Sequence, residues 1–231
     1  LEFRRVLFRS EVGPTTHYVM GGIRVDADTQ MSSIPGLFAA GECASGINGA
    51  NRLGGNSLSD LIVFGKRAGE YAAMWAREHG DVRVDDGALA AIEKTALDPF
   101  TRGAQGENPY KLQQDLQDTM QDLVGIVRME AEMQTALGRL QEFKSRLTRV
   151  GVTGGREYHS GWHTALDLRN LLAVSEAITL SAIERKESRG GHFREDYPEK
   201  REEFATFNVM TKEGSGGTVQ VSRVPIPPMP P

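Results

Sequence analysis

The strongest constraint on the fold is a set of apolar residues repeated at helical spacing through the second half of the chain. Three stripes follow this spacing: Leu112, Leu116, Met120, Leu123 and Val127; Met133, Leu137, Leu140, Phe143, Leu147 and Val150; and Leu168, Leu171, Leu172, Ser175, Ile178 and Ala182. A stripe of this period marks one face of an amphipathic helix. Three such helices with short connections predict an antiparallel bundle whose core is formed by the stripes.

The first third of the chain has a different character, because it is rich in glycine and in short β-prone runs. The runs at 15–20, 22–26 and 36–40 predict strands separated by turns. At Ser57 the period changes to that of a helix, which we expect to run to about His79 and to stop at Gly80. Asn56 or Ser57 is the expected N-cap, and Asp60 is expected in the first turn. An α/β segment therefore precedes the bundle.

Composition excludes several classes of protein. The chain has 27 Lys and Arg against 31 Asp and Glu, a net charge of −4, which argues against a nucleic-acid-binding face. Its single cysteine, Cys43, cannot form an intramolecular disulfide. The longest uninterrupted apolar run covers 71–76, whereas a membrane span needs about 20 residues.

The organisation of the chain can be divided into four parts. Residues 1–10 are basic and apolar without the features of a signal peptide, and we expect them to be a non-native lead to an internal fragment. Residues 11–80 form the α/β part, 81–188 the helical bundle domain, and 189–231 a C-terminal extension. We expect the extension to be irregular, although weak alternation in 205–223 is compatible with a strand or hairpin.

The glycine-rich loop at 47–58 is the best candidate for a ligand site. It contains one cation, Arg52, and leads directly into the helix N-terminus, where free N–H groups and the helix dipole favour an anion. A guanidinium fork suits a carboxylate. Two further candidates are His17, which lies between β-prone residues and a Gly-Gly pair, and Glu42, which follows the short apolar run at 36–41. A carboxylate in that position can accept hydrogen bonds from ribose or ribityl hydroxyls.

Four blocks of sequence, read together, resemble a known family. THYVMGG, GLFAAGE, GANRLGGNSLSDLIVFG and ESRGGHFREDYP are similar to the flavoprotein subunit of succinate dehydrogenase and fumarate reductase. The resemblance implies that the α/β part is the C-terminal remnant of a Rossmann-like FAD domain. It also implies that His17, Arg52 and Gly55 hold a dicarboxylate, and that Glu42, Asn56, Ser57 and Leu58 contact FAD.

The same resemblance implies a reaction, partners and a location. Hydride would pass between succinate and flavin N5, and electrons would then leave through an iron–sulfur subunit. The lack of a cysteine cluster agrees with clusters on another polypeptide. Membrane anchor subunits would hold the protein peripherally on the cytoplasmic, inner face of the cell membrane.

Some features of the family are not found in this sequence. Its glycine fingerprint, its FAD-linked histidine and the arginine that serves as proton donor lie upstream, so no catalytic residue is expected here. Asn48 stands where many relatives carry histidine. Two alternatives stay open: an L-aspartate oxidase-type flavoprotein, and a non-catalytic helical interaction module. The block at 188–196 either places Arg189, His192 or Arg194 near the site or forms an ion-pair network that holds the helical bundle against the α/β part, which we favour.

Overall fold

The computed structural model describes residues 17–80 and 83–228, and the predicted lead at 1–10 lies outside these residues. The described chain is mostly helical. Its five α-helices are α1 (Asn56–His79), α2 (Asp86–Arg102), α3 (Pro109–Val124), α4 (Glu130–Leu147) and α5 (Ser160–Glu184). Its strands are β1 (Val127–Arg128), β2 (Phe193–Arg194), β3 (Phe207–Glu213) and β4 (Val219–Pro225). No helix in the described ranges is long and apolar enough to cross a membrane.

The segment before α1 is held by single β-bridges instead of the strands that we expected at 15–20, 22–26 and 36–40; of the first run the structure describes residues 17–20, which form no strand. Ile23 bridges Ala44 in parallel, and Met31 bridges Phe38 in antiparallel fashion. The segment packs on α1 through a glycine: a Cβ at Gly36 would lie 2.8 Å from the Trp75 ring. This contact fixes the α1 helix against the loops that precede it.

Helix α1 has the predicted length and stops at Gly80, but its start differs from the prediction. Gly55 is the N-cap, in a left-handed conformation with φ of +83°, and neither Asn56 nor Ser57 occupies that position. Glycine adopts this conformation without the steric cost that a side chain brings. Asp60 consequently lies in the second turn, where it is buried.

Helices α3, α4 and α5 pack on one another around a shared apolar core. The buried residues of this core include Leu112, Leu116, Leu140, Phe143, Leu168 and Leu172. Burial of these side chains confirms that the stripes are core. Two stripe residues are exceptions. Leu171 of α5 is 38% exposed, and Val127 is half exposed because α3 ends at Val124 and Val127 lies in β1.

The C-terminal extension is more regular than we expected. Strands β3 and β4 form an antiparallel hairpin whose register runs from Phe207 opposite Pro225 to Glu213 opposite Val219. The hairpin packs on α5. The expectation of an irregular tail was therefore wrong for this part, while the weak alternation in 205–223 did mark strands. Upstream of the hairpin, β2 pairs in parallel with β1.

Candidate functional site

Three of the segments singled out in the sequence meet at the N-terminus of α1. The Glu42 carboxylate accepts a hydrogen bond from the Val19 N–H at 2.9 Å, which joins residues 17–20 to the short 3-10 turn at Gly41–Cys43. The Tyr18 ring stacks against the Arg52 guanidinium, with 4.5 Å between Cζ and the ring centroid. His17 is exposed and adjoins Tyr18, so its backbone lies at the edge of this stack.

Arg52 is positioned by contacts on one side of its guanidinium. Nη1 donates to Ser57 Oγ at 3.3 Å and to the Leu53 carbonyl at 3.4 Å. Nε is buried and has no hydrogen-bond partner among the described residues. A guanidinium carries five N–H donors in a fixed plane. Arg52 therefore holds unused donors while its orientation is set by Tyr18 and Ser57.

Tyr18 is a site residue to which the sequence analysis gave no role. Its hydroxyl accepts a hydrogen bond from Asn48 Nδ2 at 3.5 Å. Loss of hydration raises the pKa of Tyr18 above its ordinary value, and the negative charges of Asp60 and Glu42 add to this rise. The phenol is therefore neutral at physiological pH, and it stacks under the guanidinium as a cation–π partner.

The start of α1 presents open space next to its first N–H groups. Gly54 and Gly55 have no other atom within 4 Å of a built Cβ. Asn56 N–H donates to the Leu53 carbonyl at 3.2 Å, and Leu58 N–H donates to the Gly55 carbonyl at 3.1 Å, which forms a tight entry into the helix. The Leu58 side chain is 66% exposed. The space beside Gly54 and Gly55 is therefore open to a ligand, and the helix terminus next to it favours an anionic one.

Arg189 and Arg194 form ion pairs, as we favoured from the sequence, and His192 lies beside them through a hydrogen bond to Arg128; none of the three side chains contacts Arg52. Arg189 pairs with the buried Glu187 at 2.9 Å. Arg194 is fully buried and pairs with Glu130 and Asp196. The block reaches the candidate site through its backbone, because Gly191 N–H donates to the Ala50 carbonyl at 2.9 Å. No local pattern in the sequence predicts this contact.

Comparison with known proteins places the chain in a family. Residues 113–231 match the family described as fumarate reductase flavoprotein C-term, and residues 4–58 match an FAD binding domain, which assigns FAD as the cofactor. The fumarate reductase flavoprotein subunit of Haemophilus influenzae is 37% identical over 93% of this chain and 36% of its own length. The succinate dehydrogenase flavoprotein subunit of Coxiella burnetii is 40% identical over 81% of this chain and 34% of its own length.

A solved structure of the Mycobacterium smegmatis Sdh1 complex in the apo form contains a chain that is 52% identical to this one and superposes with a TM-score of 0.86. The match covers 93% of this chain and 36% of the chain in that complex. The chain thus spans about a third of the length of the proteins that it resembles. On these grounds the chain belongs to the succinate dehydrogenase and fumarate reductase flavoprotein family.

Proposed function

We propose that this chain forms the carboxylate-binding half of an FAD-dependent site that interconverts succinate and fumarate. The observation that carries the proposal is the state of Arg52: its guanidinium is oriented by Tyr18 and Ser57, yet Nε is buried without a partner. Because the described residues use only Nη1 of this guanidinium, its remaining N–H donors are suited to a ligand carboxylate, which a guanidinium binds with charge-assisted hydrogen bonds. Fixing a carboxylate at this point orients the reacting carbon.

The residues around α1 fit the flavin that the family requires. Gly54 and Gly55 leave room for a ligand beside the helix N-terminus, which stabilises negative charge. When bound, FAD supplies the hydride acceptor or donor. In the proposed arrangement Asn56, Ser57 and Leu58 contact the cofactor from the helix start and Glu42 accepts from its hydroxyl groups. Arg52, His17 and Gly55 hold the dicarboxylate, and the imidazole donates a hydrogen bond to it.

We extend the proposal to the organisation of the chain and its partners. Residues 11–80 are assigned to the C-terminal part of a Rossmann-like FAD domain, 81–188 to an antiparallel helical bundle domain, and 189–231 to a C-terminal extension. Electrons pass to an iron–sulfur subunit, and anchor subunits hold the protein peripherally on the inner face of the cell membrane. Similarity to a chain of the Mycobacterium smegmatis Sdh1 complex and to a chain of a quinol-fumarate reductase with menaquinol supports this assignment.

The test is a dicarboxylate titration of the full-length flavoprotein carrying Arg52→Ala, with Arg67→Ala as the matched control. Arg67 lies on α1 and contacts Ala27 and Asp28, away from the candidate site. We expect Arg52→Ala to retain FAD absorbance and to lose succinate-induced changes in it, while Arg67→Ala behaves as the wild type. If Arg52→Ala responded to succinate as the wild type does, Arg52 would not belong to the site. If the wild-type protein were colourless and so held no FAD, the alternative of a non-catalytic interaction module would be favoured.

A further inference from the structure

We propose that the turn at Gly190–Gly191 positions the loop that carries Arg52, so that the C-terminal extension sets the geometry of the dicarboxylate site. The inference rests on the proposed function, because it concerns the same guanidinium. It assigns a positioning role to two residues that lie about 140 positions along the chain from Arg52.

The turn supplies a backbone attachment for the loop, beside the side-chain contacts of Asn48 and Arg52 with Tyr18. Within the described part of the chain, the backbone hydrogen bond from Gly191 N–H to the Ala50 carbonyl, at 2.9 Å, is the one that ties residues 46–52 to another segment. Gly46 and Gly49 both have positive φ and open space around them, so the loop contributes little stiffness of its own. Ala50 lies two residues before Arg52, and a shift of its carbonyl moves the backbone that carries the guanidinium.

The approach of the two backbones requires glycine at position 190. Gly190 has φ of +60°, and a Cβ there would overlap the Ala50 carbonyl oxygen, far inside van der Waals contact. At Gly191 a Cβ would come too close only to the Met20 methyl group, at 2.6 Å, which is the free end of a flexible side chain, and the Ala50 carbonyl oxygen would lie at an ordinary contact distance of 3.8 Å. A side chain at 190 must therefore displace the loop backbone, whereas one at 191 can be accommodated by Met20.

The turn itself is held firmly from the C-terminal side, so that the loop is the partner that yields. Arg189 and His192 exchange backbone hydrogen bonds of 2.8 and 3.1 Å across the turn. The Arg189 guanidinium makes a two-point contact with the buried Glu187 carboxylate. His192 is held between Arg128 and the Arg185 carbonyl. Strain introduced at 190 is consequently transmitted to residues 50–52.

The experiment compares Gly190→Ala with Gly216→Ala in the full-length flavoprotein. Gly216 has a similar φ of +68° but no atom within 4 Å of a built Cβ, so its alanine variant bears the same backbone strain without the push on the loop. Arg189→Lys serves as a second variant that adds no atom next to Ala50 and weakens the two-point contact with Glu187. The measurements are FAD content, succinate titration, KM and kcat, and hydrogen exchange of residues 46–55.

We expect Gly190→Ala to keep its FAD and to show faster hydrogen exchange in 46–55. The apparent Kd and KM for succinate should rise about tenfold, since a misplacement of about 1 Å in a binding group can lower the reaction rate by up to about 100-fold. Arg189→Lys should show the same changes to a smaller degree, and Gly216→Ala should show none. Wild-type succinate binding and exchange in Gly190→Ala, or in Arg189→Lys if the first variant does not fold, would overturn the inference. If Arg52→Ala also binds succinate normally, the proposed function fails instead.

Discussion

The protonation state of His192 contributes to the stability of the folded chain. Nδ1 faces Arg128 Nη1 at 2.8 Å and must accept this hydrogen bond, since a guanidinium only donates; Nε2–H therefore donates to the Arg185 carbonyl at 3.0 Å. Burial, with the positive charges of Arg128, Arg194 and Arg185, lowers the pKa of His192 to about 4. The folded state thus favours the neutral imidazole.

From this pKa follows a pH dependence of stability with a definite sign. The folded-state pKa lies below the ordinary value of 6.5, so the stabilisation is complete above pH 6.5 and is lost as the pH falls toward 4. Between pH 7.5 and 5 the wild type should lose about 2 kcal/mol through this residue. Urea unfolding at the two pH values measures the loss, and His192→Gln should show a smaller one. Equal losses in both proteins would contradict the assignment.

Tyr18 offers a second test at the scale of single residues. Replacing its ring by Tyr18→Leu removes the cation–π stack on Arg52, worth about 0.5–2 kcal/mol, whereas Tyr18→Phe keeps the ring and removes only the hydroxyl that accepts from Asn48. We expect weaker succinate binding in the leucine variant and near wild-type binding in the phenylalanine variant. Isothermal titration of the full-length proteins distinguishes them. Equal weakening in both variants would assign the effect to the hydroxyl, and wild-type binding in both would contradict a role of the stack.

Among the elements, the core helices make the clearest stability prediction. Leu116 of α3 is 3% exposed within the α3–α4–α5 core, so Leu116→Ala should lower the free energy of unfolding by about 2–5 kcal/mol. Leu89 of α2 is 53% exposed, and Leu89→Ala should change the free energy of unfolding by less than about 0.5 kcal/mol. Chemical denaturation of both variants provides the comparison; equal effects would show that the α3 stripe is not core.

The same contrast explains which elements could be predicted from the sequence. Helices α3, α4 and α5 bury one face, and their buried residues recur at helical spacing. Helix α2 was not predicted as a separate element, because Leu89 and Ile92 are largely exposed and form no core stripe. The β1–β2 pair escaped prediction for another reason: its two-residue strands lie 66 positions apart at Arg128 and Arg194, and no local pattern records such a pairing.

The candidate site was predictable only in part, for a related reason. Arg52, Ser57 and Glu42 belong to contiguous motifs whose residue types indicate their chemistry. The stack of Tyr18 on Arg52 and the approach of Gly190 to Ala50 are tertiary contacts between segments that are distant in sequence. A glycine pair such as 190–191 is compatible with many turns, and only the neighbouring backbone shows why a side chain is excluded there.

For the molecule as a whole, Arg194 joins the C-terminal extension to two helices. Its side chain is fully buried and contacts both oxygens of Asp196, at 2.7 and 2.6 Å, and Glu130 at the start of α4. Nη1 donates to the Ala182 carbonyl at 2.8 Å, near the end of α5. Because one cation satisfies acceptors from three parts of the chain, its removal leaves several of them without a partner.

Arg194→Met should therefore destabilise the chain by about 3 kcal/mol, since breaking a buried ion pair costs about 3–5 kcal/mol and Glu130 and Asp196 retain partial access to water. Arg223→Met is the matched control in the same extension: Arg223 pairs with Glu184 at 2.6 Å but is half exposed, and its loss should cost less than about 1 kcal/mol. Urea denaturation followed by circular dichroism measures both values. Equal destabilisation by the two substitutions would mean that the extension is attached mainly by the hairpin on α5 and not by the buried arginine.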